Sequence, residues 1–166
     1  MKMLRIALLL VIVVANIGCD QLSKNAVRKN ISAGETIELL NNHLVLMNVE
    51  NTGAFLSLGD SLATPLRILL LSVLPLLALM AGLLFVVINQ RQSILFLVAL
   101  SFIIGGGIGN IIDRMLYGSV TDFLFLHFSI FKTGIFNLAD VSIMAGVGFI
   151  VVDAILKRIK IHSVSN

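Results

Sequence analysis

Apolar residues fall into four long blocks along the chain, separated by two long polar connections and one very short one. The first block runs from Leu4 to about Cys19, and the helix it starts extends through Lys24 toward Val27, so a span is expected at about 4–27. Further spans are expected at about 65–88, 93–112 and 138–156. Each approaches the roughly 20 apolar residues that a helix needs to cross a bilayer. The loop Asn89-Gln90-Arg91-Gln92 is short enough to make the second and third spans antiparallel neighbours. Four spans put both termini on one side and both long connections on the other.

The segment at about 31–60 is too polar to be a span, carrying Glu35, Glu38, Asn41, Asn42, His43, Asn48, Glu50 and Asn51. Residues 36–39 and 43–49 read as short strands around an Asn41-Asn42 turn. The expected fold is therefore a single polytopic membrane domain over 1–166. It is an all-α membrane protein of four transmembrane helices, with a small extracytoplasmic β-sheet between the first and second. The second connection, about 113–136, lies on the same side as the sheet.

Composition sharpens this reading. Of 166 residues, 58 % are hydrophobic and 13 % charged, against about 45–50 % and about 25 % in soluble domains. So few polar side chains could not cover a soluble surface, and a disordered chain needs the opposite balance. One cysteine rules out a disulfide framework or a cysteine-based zinc site. No His, Cys, Asp or Glu cluster has metal-ligand spacing, and no cofactor is expected. A net charge of +3, with no basic run beyond the termini, gives nucleic acid no footprint.

Orientation follows from Lys and Arg in short loops. Six lie on the terminal side (Lys2, Arg5, Arg91, Lys157, Arg158, Lys160) and six on the other (Lys24, Arg28, Lys29, Arg67, Arg114, Lys132). The terminal six are packed into shorter segments with almost no acids, which places both termini in the cytoplasm. The start of the chain imitates a lipoprotein signal peptide, with Lys2, Arg5, an apolar run and Asn16-Ile17-Gly18-Cys19. Asn16 stands where such a signal has a leucine-like residue, and cleavage would remove the first span. Cys19 is read as a small apolar residue of an uncleaved helix.

Nine carboxylates must be accommodated in this apolar chain. An ionisable group at membrane depth is costly and points to function. Asp20 and Lys24, at i and i+4, share a helix face and pair, either as an interfacial anchor or as support for a site. Asn51-Thr52-Gly53-Ala54-Phe55 reads as a turn in which Gly53 allows unusual backbone angles or close approach. The third span ends in a glycine-rich stretch, Gly105 to Gly109, suited to close helix packing, followed by Asn110, Asp113 and Arg114. Asp113, beside the cation of Arg114, is expected to be an ionised structural carboxylate, and the planar fork of Arg114 could equally hold a carbonyl or a phosphate. Asp140 opens the fourth span, where the helix dipole favours a negative charge, and Asp153 is expected to pair with Lys157 four residues on. Asp122 lies among Val120, Phe123, Leu124 and Phe125 with no adjacent cation, a setting that favours the neutral acid.

Asp122 and Asp140 come from different segments yet belong to the same membrane face. Two carboxylates sharing a site hold one proton between them, so one can activate water while the other protonates a carbonyl. That arrangement suits peptide hydrolysis. A proton relay would instead spread its carboxylates along the span interior, and an assembly factor would use the same polar cluster for docking.

Taken in order, Asp20-Gln-Leu-Ser-Lys24, Asn51-Thr-Gly-Ala-Phe55, Gly109-Asn-Ile-Ile-Asp-Arg114, Val120-Thr-Asp-Phe123 and Phe136-Asn-Leu-Ala-Asp140 resemble the motifs of bacterial lipoprotein signal peptidase (signal peptidase II). The resemblance spans about residues 20–145. It implies an aspartic endopeptidase of the bacterial inner membrane, with its active site at the extracytoplasmic face. The implied substrates are prolipoproteins whose cysteine already carries diacylglycerol, cut on the N-terminal side of that cysteine. By position it assigns the catalytic pair to Asp122 and Asp140. Asn51, Gly53, Asn110, Arg114 and Asn137 would surround the site, and Asp20, Lys24, Ala54, Gly109, Asp113 and Ala139 would support it. Membrane lipid is the implied surrounding, and one compact site on one chain needs no second copy, so a monomer is expected.

Overall fold

The computed structural model describes residues 2–41, 43–54, 58–89, 91–128 and 130–164, with side chains to residue 160. Asn42 of the expected turn, Phe55 of its motif and Gln90 lie outside the described residues. Four helices carry apolar windows long enough to cross a membrane. They are α1 (Lys2–Asn30), α2 (Thr64–Ile88), α3 (Ile94–Tyr117) and α4 (Leu138–Val164). Their outer faces expose Leu8 and Val11 on α1, Leu77 and Leu84 on α2, and Val147 and Ile155 on α4. Bare apolar surface on this scale belongs against lipid.

Helix α3 is the centre of the bundle. Half of its apolar window is buried, against 17, 6 and 22 % for α1, α2 and α4. Leu97 and Ile104 of α3 pack with Leu9 and Val13 of α1 and Val86 of α2. Small residues let the other helices close in on α3. A Cβ built on Gly105 would stand 3.0 Å from the carbonyl oxygen of Val13, and one on Gly146 of α4 would stand 2.6 Å from that of Ala99. Ser93 starts α3 by accepting from the N–H of Phe96 (3.2 Å) and donates to Asp153 of α4 (2.5 Å). Asp153 in turn pairs with Lys157 at 2.7 Å, as its spacing predicts.

Helix α2 contains one wide turn, Leu69–Val73, in which the N–H of Leu74 bonds to the carbonyl of Leu69 five residues back. Pro75 follows at once and has no N–H to give to the preceding turn, so the regular ladder is already broken there.

The four helices carry a four-stranded antiparallel sheet, in the order β1 (Thr36–Leu39), β2 (Leu44–Asn51), β3 (Val120–Phe128) and β4 (Phe131–Lys132). Leu40 and Asn41, with φ of 52° and 54°, turn β1 into β2. The sheet is thus larger than the sequence pattern predicts. Two of its strands come from the second connection, and α3 runs on to Tyr117, beyond the expected end near 112. Lys24 and Arg28 of α1 supply partners for Asn110 and Asp113, so the helix continues past these polar residues. Gly118, at φ 76°, then ends the helix and turns the chain into β3. The first four residues of β3, Val120 to Phe123, are all buried, the polar Thr121 and Asp122 among them, so the strand shows no apolar–polar alternation. Phe123 packs on Val27 and Ile31, tying the sheet to the end of α1.

These contacts give two nearby glycines of α4 opposite roles. A Cβ at Gly146 would strike the α3 backbone, whereas one at Gly148 meets nothing within 4 Å. Gly146→Ala is expected to lower the thermal midpoint of the detergent-solubilised protein by an overpacking cost of about 1–3 kcal/mol. Gly148→Ala is expected to raise it slightly, by about 0.5–1 kcal/mol of helix propensity. Equal shifts in the two variants would contradict the packing of α4 on α3.

Candidate active site

The site lies where the sheet meets the ends of α1, α3 and α4. Asp122 is the third residue of β3, and its neighbour across the sheet is Val49 of β2. Its side chain is nearly buried, and both carboxylate oxygens accept from side-chain amides. Oδ2 takes Nδ2 of Asn51 at 2.9 Å and Oδ1 takes Nδ2 of Asn137 at 2.7 Å. Burial above all, and then the charge of Asp140, push the Asp122 carboxyl up to about 6, while the Asn51 and Asn137 amides and the Lys24 charge pull the other way.

Asp140 is placed by the start of α4. Asn137 is the residue before the helix, and its Oδ1 accepts from the Asp140 N–H at 2.9 Å. Asp140 returns a bond through Oδ2 to the N–H of Asn137 at 3.2 Å. This reciprocal pattern is a capping box, which satisfies two otherwise unpaired amides of the first turn. The remaining Asp140 oxygen, Oδ1, accepts from Nδ2 of Asn110 at 2.9 Å. Asn137 is therefore the bridge of the site: its backbone and Oδ1 hold Asp140, and its Nδ2 holds Asp122.

Asn51, Ala54, Asn110, Arg114, Asp122, Asn137 and Asp140 line one cavity of about 370 Å³. The NH2 group of Arg114 donates to the carbonyl of Gly53 at 2.9 Å, and the N–H of Gly53 donates to Oδ1 of Asn51 at 3.0 Å. Gly53 is thus used through its peptide groups. The positive-φ glycines among the described residues are Gly34, Gly59 and Gly118. Ala54 accepts from Nδ2 of Asn51 through its carbonyl at 3.1 Å. A second, apolar chamber of about 320 Å³ shares Ala54, Asn110, Arg114 and Ile143 with the first and reaches Leu71 and Pro75 at the wide turn of α2.

Behind the cavity lies a second, buried polar layer. Lys24 and Asp20 pair at 2.8 Å as the i, i+4 spacing predicts, but both are fully buried, so the pair is not an interfacial anchor. Lys24 also reaches Asp113 at 3.1 Å and Oδ1 of Asn110 at 2.8 Å. The cation beside Asp113 in the chain is not the one that holds it: Arg114 gives its fork to the Gly53 carbonyl, as one reading of the sequence allows. Successive residues of a helix do not face each other, and Asp113 turns instead toward α1, to Lys24 and to Arg28 (2.9 Å). Gly109 leaves room for the Asp20 carboxylate, since a Cβ there would stand 2.6 Å from Oδ2. Oδ1 of Asp20 accepts from the N–H of Ala139 at 2.9 Å.

Arg28, Gln21 and Thr121 belong to this layer and were not singled out from the sequence. Arg28 donates to Thr121 at 2.7 Å and stacks over Tyr117 at 4.0 Å. Thr121 passes a bond to Glu50 at 2.7 Å, and Nε2 of Gln21 reaches Asp20, Asp113 and the carbonyl of Gly109. The available signal for Arg28 was its place four residues beyond Lys24 and eight beyond Asp20, on one helix face.

This arrangement defines the class: a multi-pass membrane protein whose two hydrogen-bonded carboxylates face one cavity beside the bundle. A family model of signal peptidase II matches residues 12–156. The chain belongs to that family, whose members are aspartic proteases. It is 37 % identical over 131 residues to the lipoprotein signal peptidase of Enterococcus faecalis, covering 79 % of this chain and 77 % of that one. It is 32 % identical over 153 residues to that of Polynucleobacter necessarius, covering 91 % of each chain. A bacterial membrane enzyme solved by the in meso method at 1.9 Å superposes with a TM-score of 0.78 at 28 % identity, over 91 % of this chain and 94 % of that one.

The buried layer makes a stability prediction. Asp113→Ala leaves Arg28 without its carboxylate and Lys24 with Asp20 alone, and removing one partner from such a network is expected to cost about 3–5 kcal/mol. Asp60→Ala removes a half-exposed partner 3.7 Å from Arg67 and is expected to cost no more than about 1 kcal/mol. Thermal unfolding in detergent reads both, and an Asp113→Ala midpoint as high as that of Asp60→Ala would contradict the network.

Proposed function

We propose that this chain removes signal peptides from prolipoproteins, cutting on the N-terminal side of a cysteine that already carries diacylglycerol, with Asp122 and Asp140 as its catalytic pair. The observation that carries the reading is the convergence of these two carboxylates, from β3 and α4, on one cavity through a shared Asn137. Charge supports it. Setting aside Glu50, which is exposed, four carboxylates (Asp20, Asp113, Asp122 and Asp140) stand against three cations (Lys24, Arg28 and Arg114) in this region. One negative charge is left over, and a single proton shared by the pair removes it.

In this reading Asp122 carries the proton. Its carboxyl is pushed up to about 6 by burial and by Asp140, and an apolar substrate that displaces water from the cavity extends the neutral form to higher pH. Asp140 takes a proton from water as that water attacks the scissile carbonyl, and Asp122 donates its proton to the carbonyl oxygen; the tetrahedral diol then collapses, the C–N bond breaks as Asp140 gives its proton to the leaving amine, and Asp122 takes a proton back from the diol hydroxyl. Asn51, Asn110 and Asn137 hold the two carboxylates apart and oriented, and Arg114 holds the Gly53 turn at the cavity edge. The apolar chamber at the wide turn of α2 suits an aliphatic part of the substrate entering from between the spans.

The same reading places both termini in the cytoplasm and the sheet and cavity on the extracytoplasmic face of the inner membrane, where an exported precursor presents its cysteine. All the residues it uses belong to one chain, so a monomer suffices.

The test is cleavage of a diacylglyceryl-modified precursor by the purified enzyme in lipid nanodiscs. Asp122→Asn and Asp140→Asn are each expected to insert and purify normally and to leave the precursor uncut. Unlipidated precursor is expected to remain uncut by the wild type. Processing by Asp140→Asn would sink the assignment of the pair, and equal processing of both precursors would sink the lipid requirement.

A further inference from the structure

Lys24 is fully buried and does not line the cavity. Its ammonium has three N–H groups and three partners: Asp20 at 2.8 Å, Asp113 at 3.1 Å and Oδ1 of Asn110 at 2.8 Å. Two carboxylates already answer its charge. The third bond goes to a neutral amide that touches Asp140, and that bond has a directional consequence.

A side-chain amide has nearly the same shape when turned over, so its orientation is decided by what surrounds it. As observed, Oδ1 of Asn110 accepts from Lys24 and from Nδ2 of Asn137 (3.2 Å), which leaves Nδ2 to donate to Asp140 (2.9 Å). Turned over, the amide would set its NH2 group against two donors and its oxygen against the Asp140 carboxylate. On the Lys24 side, where the ammonium is fully buried, no water can relieve such a clash.

We propose that Lys24 is a positioning residue for Asp140, acting through Asn110: by bonding to Oδ1 from behind, it fixes the amide with its N–H donor toward the Asp140 carboxylate. The inference rests on the reading of Asp140 as one of the catalytic pair. A second link from the same helix face acts on the backbone. Asp20, four residues before Lys24, accepts from the N–H of Ala139, the residue before Asp140. Helix α1 therefore holds both the first turn of α4 and the orientation of the amide above it, without touching the cavity.

Lys24 has an electrostatic effect as well. Asp122 is faced by Asp140 from α4, by Arg114 from α3 and by Lys24 from α1, while β2 presents it with the uncharged Asn51. The Lys24 charge holds the Asp122 carboxyl below where burial alone would take it. Without that charge the proton on Asp122 persists to higher pH.

A double-mutant cycle tests this, with Lys24→Met and Asn110→Ala alone and together. Lys24→Met is always made together with Asp20→Asn, and Asp20→Asn is not placed beside an intact Lys24, so loss of the ammonium leaves no unpaired Asp20 carboxylate and no amide NH2 faces the ammonium; Oδ1 of the substituted side chain can still accept from Ala139. Steady-state cleavage of a diacylglyceryl-modified precursor in nanodiscs is the readout. Lys24→Met is expected to lower kcat on the order of 100-fold with little change in KM. It is expected to have no further effect on the plateau kcat once Asn110 is alanine, and in both backgrounds to move the alkaline limb of the kcat profile to higher pH. An equal loss in both Asn110 backgrounds, a change in KM alone, or an unmoved limb would overturn the proposal.

Asn110→Asp provides a second line that does not remove the ammonium. Its carboxylate still answers Lys24 but has no N–H for Asp140. A comparable loss of kcat in a stably folded protein is expected, and wild-type kcat would overturn the route through Asn110. Asp140→Asn is run alongside: if it still cleaves, the reading of the pair has failed, whereas if it is inactive and the cycle is additive, only the role of Lys24 has failed.

Discussion

A charge taken to membrane depth has to be answered by other protein groups, because no water is there to do it. In this chain that constraint centres on the ammonium of Lys24, which sits fully buried between Asp20, Asp113 and Asn110. Its three bonds tie α1 to α3, and Asp20 carries the tie on to the first turn of α4. The close approach of the helices follows, with Gly109 small enough to admit the Asp20 carboxylate. Arg28 extends the layer to Asp113 and Thr121, and so fixes where β3 leaves the bundle.

Asp122 and Asp140 inherit their positions from that layer. Asp140 stands in a helix turn whose backbone is held by Asp20, and its carboxylate meets an amide that Lys24 also holds. Asp122 stands on a strand whose preceding residue, Thr121, is bonded through its N–H to Asp113 at 3.2 Å. Asn137 closes the arrangement by capping α4 with one end of its amide and meeting Asp122 with the other. Asp122 and Asp140 thus reach one cavity from a strand and a helix turn that the polar layer behind it holds in place.

Much of this is legible in the sequence, and the rest is hidden for identifiable reasons. The four spans show as apolar runs, and the pairs Asp20–Lys24 and Asp153–Lys157 show as i, i+4 spacings, because both are local properties. The conspicuous isolation of Asp122 and Asp140 from neighbouring cations is also local. Strand β3 is hidden because it is covered, and a covered strand cannot be told from other apolar segments by alternation. The partner of Asp113 is hidden because it depends on which helix faces which, and adjacency to Arg114 in the chain points the wrong way. Arg28 enters the sequence reading only as one of the basic residues counted for orientation, although its spacing from Asp20 and Lys24 puts it on their helix face.

The central claim is that Asp122 and Asp140 form one electrostatic unit. The most direct measurement is a pH titration of 13C-carboxyl-labelled aspartate in the free enzyme in nanodiscs, with the Asp122 resonance assigned by its loss in Asp122→Asn. Asp122 should titrate near pH 6, and its titration should move down when Asp140→Asn removes the neighbouring charge. An Asp122 carboxyl titrating at the ordinary value of about 3.9, unmoved by Asp140→Asn, would contradict the account.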